Sequence, residues 1–295
     1  MFWFRPANAG CVSASPRLPS GARAASLGTM TEALPPLLLV GCGKMGGAML
    51  AGWRERGLSQ AVVVDPFLAT APEAATLVKS AGDIPAAFAP AAVVLAVKPQ
   101  EAAATLPLHA RFAPGAVFVS IMAGKTVAAM RGLLGEGAAI VRAMPNTPAA
   151  VRQGFCVACA GPGVSAAQRA LADALLAGAG EVAWVEEEGL LDPVTAVSGG
   201  GPAYVFLLAE LLEKAAVEQG IPAALARRMA RATVAGSGAL LAASTEDAAQ
   251  LRKNVTSPKG TTERALAVMM EQAAWPDTIS RAIAAATARS RELAG

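Results

Sequence analysis

Three features of the sequence predict an α/β N-terminal Rossmann domain followed by an all-α C-terminal dimerisation domain. Short apolar runs alternate with helical stretches from Leu37 to Trp184, a glycine-rich turn follows the first of these runs, and beyond Trp184 the pattern is helical to the end. A chain of 295 residues exceeds one typical core. The expected boundaries are 1–34 for an extension outside the fold, 35–188 for the dinucleotide-binding domain and 189–295 for the helical substrate and dimerisation domain.

The run LLLV (Leu37–Val40) lacks polar alternation, the pattern of a strand buried on both faces of a parallel sheet. It leads into GCGKMGGAML, where Gly41, Gly43 and Gly46 stand at the G-x-G-x-x-G spacing, with Cys42, Lys44 and Met45 completing the turn. The first glycine permits a tight turn, the second lets a pyrophosphate approach the backbone, and the third lets helix and strand pack closely. The helix from Lys44 to Arg56, stopped by Gly57, then offers unpaired N–H groups to the phosphates. A second strand, AVVVD (Ala61–Asp65), ends about 22 residues beyond Gly43 in a carboxylate suited to an adenosine ribose diol. A 2′-phosphate would meet like charge there, so Asp65 leans towards NADH over NADPH. Its alternative reading is a solvated turn residue before Pro66.

Further strands follow at AAVVLAV (Ala91–Val97), AVFVSIMAG (Ala116–Gly124) and within AAIVRAMPNTPAAV (Ala138–Val151). Each ends in turn-forming residues, and ligands of open α/β sheets bind outside the carboxyl ends of the strands. Lys98, Ala123, Gly124, Asn146 and Thr147 are therefore candidates to border one crevice. The acidic run Glu186–Glu188 reads as a linker or a solvated helix start. SGGGPAYVFLLAELLEKAAVEQG then opens with a flexible glycine turn and Pro202 and runs as a helix to Gly220. PAALARRMARATVAGSGALLAAS is a second helix, STEDAAQLRKNV starts with a Ser244-x-x-Asp247 capping box, and a last helix spans Trp275 to Ala294. Several of these helices are apolar nearly all round, which one chain cannot bury, so an intimate homodimer is expected.

Composition excludes several classes of function. Aromatic residues make up 4% of the chain and no basic cluster interleaves with them, which argues against nucleic acid as a partner. Hydrophobic residues reach 54% with 16% charged, but much of this is Ala, and the longest uncharged run, Pro193 to Ala209, is interrupted by glycines and Pro202; no membrane span is expected. Arg5, Arg17 and Arg23 account for the formal net charge of +3. The leader that holds them fits a mitochondrial transit peptide in form, but Met30, opening MTEALPPLLLVG, is the preferred start. Four scattered cysteines point to a reducing, cytoplasmic setting. Cys156 and Cys159 read as part of a half-buried strand, His109 as an ordinary structural residue, and no metal cluster is expected.

One polar stretch, NVTSPKGTTERAL (254–266), breaks the helical half. Pro258 and Gly260 end one helix near Val255, and Thr261 or Thr262 caps the next, so hydroxyls, Lys259 and a helix N-terminus come together as a site for a small carboxylate. The chain cannot supply a Ser-His-Asp set, which agrees with hydride transfer, where the nicotinamide carries the reactivity.

GCGKMGGAML, AVKP (Ala96–Pro99), MPNTP (Met144–Pro148), SGGGPAY (Ser198–Tyr204) and NVTSPKGTT together resemble the pyrroline-5-carboxylate reductase family, from about Leu37 to the C-terminus. The resemblance implies hydride delivery from NADH or NADPH to the C=N carbon of 1-pyrroline-5-carboxylate, giving L-proline, the last step of proline biosynthesis. It also implies an interlocked homodimer and, in many members, a ring of five dimers. By motif, Ser257, Gly260 and Thr261 hold the carboxylate of this imino acid, Thr262 hydrogen-bonds the ring nitrogen as the catalytic residue, and Asn254 braces the loop. Glu188 faces the amine, with one extra residue near Gly189, while Ala96, Val97, Lys98, Pro99, Met122, Ala123 and Gly124 border the cofactor. The chain departs from the family pattern in carrying Lys259 at a usual glycine, Asp65 at a usual small polar residue, and the leader. Two alternatives stand beside this reading. A β-hydroxyacid dehydrogenase would carry a Lys after the glycine turn, which GGGPAYVFLL lacks; a dinucleotide sensor without catalysis would leave the polar loop unused.

Overall fold

A computed structural model describes residues 33–294; the expectations for the leader and Cys11 lie outside the described residues. The fold begins slightly before the expected boundary, because Leu34 is buried and its carbonyl accepts from Ser59 Oγ at 3.0 Å. Eight strands form one sheet: β1 (Leu37–Val40), β2 (Ala61–Val64), β3 (Ala75–Val78), β4 (Ala92–Leu95), β5 (Val117–Ser120), β6 (Ala139–Met144), β7 (Gly154–Ala160) and β8 (Gly180–Val185). Their order is β3-β2-β1-β4-β5-β6-β7-β8, with every pair parallel except β6–β7. The first six strands keep the order of a doubly wound dinucleotide fold, with the switch point between β1 and β4.

Alternate residues of each central strand enter opposite cores, which is why these runs show no polar alternation. Leu37, Leu39, Val63 and Val94 face one layer, containing Trp53 and Leu175 of helices α1 (Lys44–Glu55) and α4 (Ala166–Leu176). Leu38, Val62, Leu95 and Phe118 face the other, against α2 (Ala102–Thr105), the turn Leu106–Phe112 and α3 (Val127–Leu134). Each such side chain contributes on the order of 1.5–3 kcal/mol of burial free energy. Trp53 is fully buried and still satisfied, since its indole N–H donates to the Leu175 carbonyl at 2.7 Å. Cys156 and Cys159 lie on opposite faces of β7, in separate cores, as expected of strand residues; burial pushes the Cys156 thiol up to about 12.

The helical half comprises α5 (Leu191–Val194), α6 (Gly201–Glu218), α7 (Ala223–Ala243), α8 (Ala248–Asn254), α9 (Thr261–Met269) and α10 (Trp275–Ala294). The glycine motif before Pro202 is not the flexible turn expected. Thr195–Gly199 is a π-helical segment that runs directly into α6. A Cβ on Gly199 would stand 2.5 Å from Met144 Cε, so glycine lets the helix pass over the end of β6, and Tyr204 Oη donates to the Ala196 carbonyl inside the wide turn. The Ser244 box is also corrected. Ser244 Oγ accepts from Glu246 N, while Asp247 occupies the N-cap position of α8.

Helix α10 folds back on α5 and the π segment, where Ser290 Oγ donates to Asp192 at 2.7 Å. Helices α6 and α7 pair with each other, yet Phe206 is 66% exposed and Leu207 51%. The helical stretch Glu188–Glu218 has the length and apolar composition to cross a membrane, and in the single chain few of its residues are fully buried.

Candidate active site

The carboxyl ends of β1, β2, β4 and β5 bring one group of expected residues together. Gly41 adopts a left-handed φ of +89° and its Cβ position would lie 2.9 Å from the Ala96 carbonyl, so the turn hugs the end of β4. A Cβ on Gly46 would stand 2.4 Å from the Gly41 oxygen, which closes helix against strand. At Gly43 no protein atom comes within 4 Å of the Cβ position. The three glycines thus divide the tasks their spacing predicts. Helix α1 starts without a side-chain cap and without an acid in its first turn, leaving its leading amides to an external acceptor. These residues fit the pyrophosphate of a dinucleotide.

Asp65 closes the same corner: its Oδ2 accepts from Cys42 N at 2.8 Å, and its Oδ1 from Phe67 N at 2.9 Å and Leu68 N at 3.0 Å. Burial, then the Asp65 carboxylate, raises the Cys42 thiol, which keeps this neighbour of the phosphate cradle uncharged. Val97, Lys98 and Pro99 leave β4 beside the turn, with Lys98 capping the short helix Pro99–Glu101. Met122 and Ala123 lead to Gly124, at φ +70°, where the last turn of α10 packs: a Gly124 Cβ would meet Leu293 Cβ at 2.9 Å. Asn146, after β6, ties two motifs together by donating to Ser198 Oγ at 3.2 Å while accepting from Phe155 N.

The second group lies on α8, α9 and the loop between them. Gly260, not a threonine, is the N-cap of α9, and Thr261 and Thr262 are its first two residues. The correction has a steric reason, since any Cβ at Gly260 would stand 2.9 Å from the Ser257 carbonyl. Glu263 turns back to accept from Lys259 N at 2.8 Å, and among the described residues no protein acceptor takes the amides of Thr261 and Thr262. Lys259 sits at φ +60°, the conformation that explains a usual glycine there. Asn254 braces the start of α8 and not the loop, accepting from Gln250 at 2.7 Å and donating to Glu246 at 3.2 Å. Beside them a hollow of about 300 Å3 between α8 and α9 is walled by Arg252, Lys253, Thr256 and Leu266. Asn254, Ser257, Thr261 and Thr262 are all exposed in the single chain.

Glu188 does not join this loop. Its Oε1 accepts from Val127 N at 2.8 Å, capping α3, and from Arg142 Nη1 at 2.9 Å. The carboxylates bonded to the α8–α9 region within one chain are Glu246, which accepts from Asn254, and Glu263, which accepts from Lys259 N. Arg142 was missed; a lone Arg inside an apolar strand was the available signal.

Residues 188–293 match the model described as pyrroline-5-carboxylate reductase dimerisation, and residues 37–124 match NADP oxidoreductase, coenzyme F420-dependent. The pyrroline-5-carboxylate reductase of Pseudomonas aeruginosa is 37% identical over 270 residues, covering 88% of this chain and 97% of that protein. The chain belongs to the pyrroline-5-carboxylate reductase family. Among solved structures, the pyrroline-5-carboxylate reductase from Coxiella burnetii aligns with a TM-score of 0.79 at 28% identity, over 89% of this chain and 99% of that one. A Plasmodium falciparum pyrroline carboxylate reductase with NADP bound gives 0.78 at 26% identity, over 89% and 99%.

For a pyrroline-5-carboxylate reductase, the two groups of residues are notably separate within one chain. Among the described residues no hydrogen bond or ion pair joins the segment from Glu246 to Met270 to the sheet domain.

Proposed function

We propose that this pyrroline-5-carboxylate reductase reduces 1-pyrroline-5-carboxylate to L-proline, with NADH or NADPH as hydride donor. The reading is carried by two helix starts that have no side-chain cap, α1 at the glycine turn and α9 at the polar loop, each with leading amides open to an anion. When bound, the dinucleotide supplies the hydride. The remaining work falls to the chain. The Thr261 and Thr262 amides receive the substrate carboxylate, with Ser257 and Lys259 beside them, and the Thr262 hydroxyl hydrogen-bonds the ring nitrogen. A protonated imine accepts hydride at its C=N carbon, and the π pair moves onto nitrogen, so neither a metal nor a strong acid is required. Gly41–Gly46, Ala96–Pro99 and Met122–Gly124 orient the donor.

Because no hydrogen bond or ion pair among the described residues ties α8 and α9 to their own sheet domain, the loop of one chain serves the cofactor end of another. The working unit is a homodimer, and the family's ring of five dimers, a decamer, is its expected larger form. The exposed faces of α6 and α7 are covered by that second chain and not by lipid, consistent with a cytoplasmic enzyme. The test is loss of dinucleotide absorbance, with proline formed, when pyrroline-5-carboxylate meets the purified protein. Thr262→Ala should lower kcat by about 10- to 100-fold while dinucleotide KM moves less than about twofold. Equal losses in both would count against its role.

A further inference from the structure

The loop 121–126 leaves β5 at the carboxyl edge of the sheet, on the side of the switch point away from β2. Two mononucleotide-binding halves flank that point, so with the adenosine half towards β2 this loop borders the nicotinamide half. Three contacts hold it. At its start, Met122 N donates to Ser120 Oγ at 3.3 Å. In its middle, Gly124 lies under the last turn of α10, where the Leu293 carbonyl oxygen would stand 3.2 Å from any Cβ. At its end, Thr126 caps α3 by accepting from Ala129 N, but the first helical amide, Val127 N, donates to Glu188, 61 residues away in sequence. Helix α3 has no acid in its first turn, so the negative charge that suits a helix start comes here from the helical half. Arg142 fixes that carboxylate. Buried on β6 in register with Ser120, it donates through Nη1 to the same Glu188 oxygen at 2.9 Å, and Asp192, bonded to Ser290 of α10, lies 3.8 Å from its Nη2.

We propose that Glu188, held by Arg142, is a positioning residue for hydride transfer, anchoring through Val127 the wall against which the nicotinamide lies. The inference rests on the reduction proposed above. Glu188 and Leu293 both fall within the segment that matches the dimerisation model, so loop 121–126 is tied to the helical half and not to the sheet alone. Hydride passes only when donor and acceptor carbons are close and aligned, and a displacement of about 1 Å can cost about 100-fold in rate. Dinucleotide affinity depends more on the phosphate cradle, and among the described residues no hydrogen bond or ion pair joins Glu188 or Arg142 to residues 41–46. A lost anchor should therefore lower kcat and leave dinucleotide Kd nearly unchanged.

Hydrogen exchange of the full-length protein without dinucleotide, followed by mass spectrometry over residues 121–130, reads the anchor itself, and steady-state kinetics reads its use. Glu188→Ala should speed exchange there by at least about tenfold. It should also lower kcat by about 10- to 100-fold while dinucleotide Kd moves less than about threefold. Glu188→Gln keeps a carbonyl oxygen for Val127 N, and should hold exchange at the wild-type rate and kcat within about fivefold of wild type. Val127→Pro deletes the donor and leaves the carboxylate in place. Proline suits a first helical position that follows an extended residue, here Thr126 at ψ 156°, so this variant should fold and lose kcat as Glu188→Ala does. Exchange unmoved by Glu188→Ala, or wild-type kcat in Val127→Pro, would overturn the proposal. So would Glu188→Gln as slow as Glu188→Ala, because the charge would then act on the substrate itself. If Glu188→Ala instead opens the central strands to exchange, the fold is lost and the other two variants decide by the same outcomes. Wild type without turnover would sink the proposed reaction, whereas turnover with residues 121–130 unaffected by Glu188→Ala would sink this inference alone.

Discussion

His109 is buried in the Leu106–Phe112 turn with neither ring nitrogen hydrogen-bonded. Desolvation, helped by the Arg111 charge, lowers its pKa to about 4. The folded state therefore refuses a proton that the unfolded chain binds below about pH 6.5, so stability from this group is present at neutral pH and falls as pH drops from there towards about 4. His109→Leu should remove about 2 kcal/mol of the wild type's stability loss between pH 7 and 5, seen in denaturant unfolding at both values; an unchanged loss would show that the ring is solvated. The sequence predicted a structural His109 from its lack of partners. It gave no sign that Glu188 also caps α3, because its partners there, Arg142 and Val127, are distant in sequence. At Lys259 the sequence was more informative: a side chain in place of a usual glycine sits at φ +60°, a conformation costing roughly 1 kcal/mol.

At the scale of elements, the sheet was legible because its central strands are buried on both faces, and continuous Val, Leu and Ile runs have no other easy reading. The π segment was not legible, since three glycines before a proline spell a turn locally, whereas here Thr195–Gly199 is π-helical and Gly199 packs on Met144. The joint between sheet and helices depends on a buried charge. Arg142 Nη1 lies 2.9 Å from Glu188 and Nη2 3.8 Å from Asp192, which also receives Ser290 from α10. Arg142→Met should destabilise the protein by about 3–5 kcal/mol, because it leaves two carboxylates without their cation. Thermal unfolding would measure this, and a loss under about 1 kcal/mol would mean that solvent replaces the guanidinium.

The whole molecule is where one chain's sequence says least about the site, because among the described residues no hydrogen bond or ion pair joins the polar loop to the glycine-turn domain. Composition did show that apolar helices needed a partner, and Phe206 and Leu207 are indeed left in solvent. If the polar loop serves a neighbouring chain, two impaired variants should rescue each other. Gly43→Glu fills the phosphate cradle without meeting a protein atom at its Cβ, and Thr262→Ala disables the loop. Co-expressed, they should recover about a quarter of wild-type activity through mixed dimers, each with one intact site; no recovery would place loop and cofactor in the same chain.

Hydride passing directly from the nicotinamide to the imine carbon is open to isotopic labelling. With the reduced dinucleotide carrying deuterium at the transferable position, the proline formed from pyrroline-5-carboxylate should be heavier by one deuterium, bound to the ring carbon that had been doubly bonded to nitrogen. Unlabelled proline, or none at all with either stereoisomer of the labelled donor, would contradict the account.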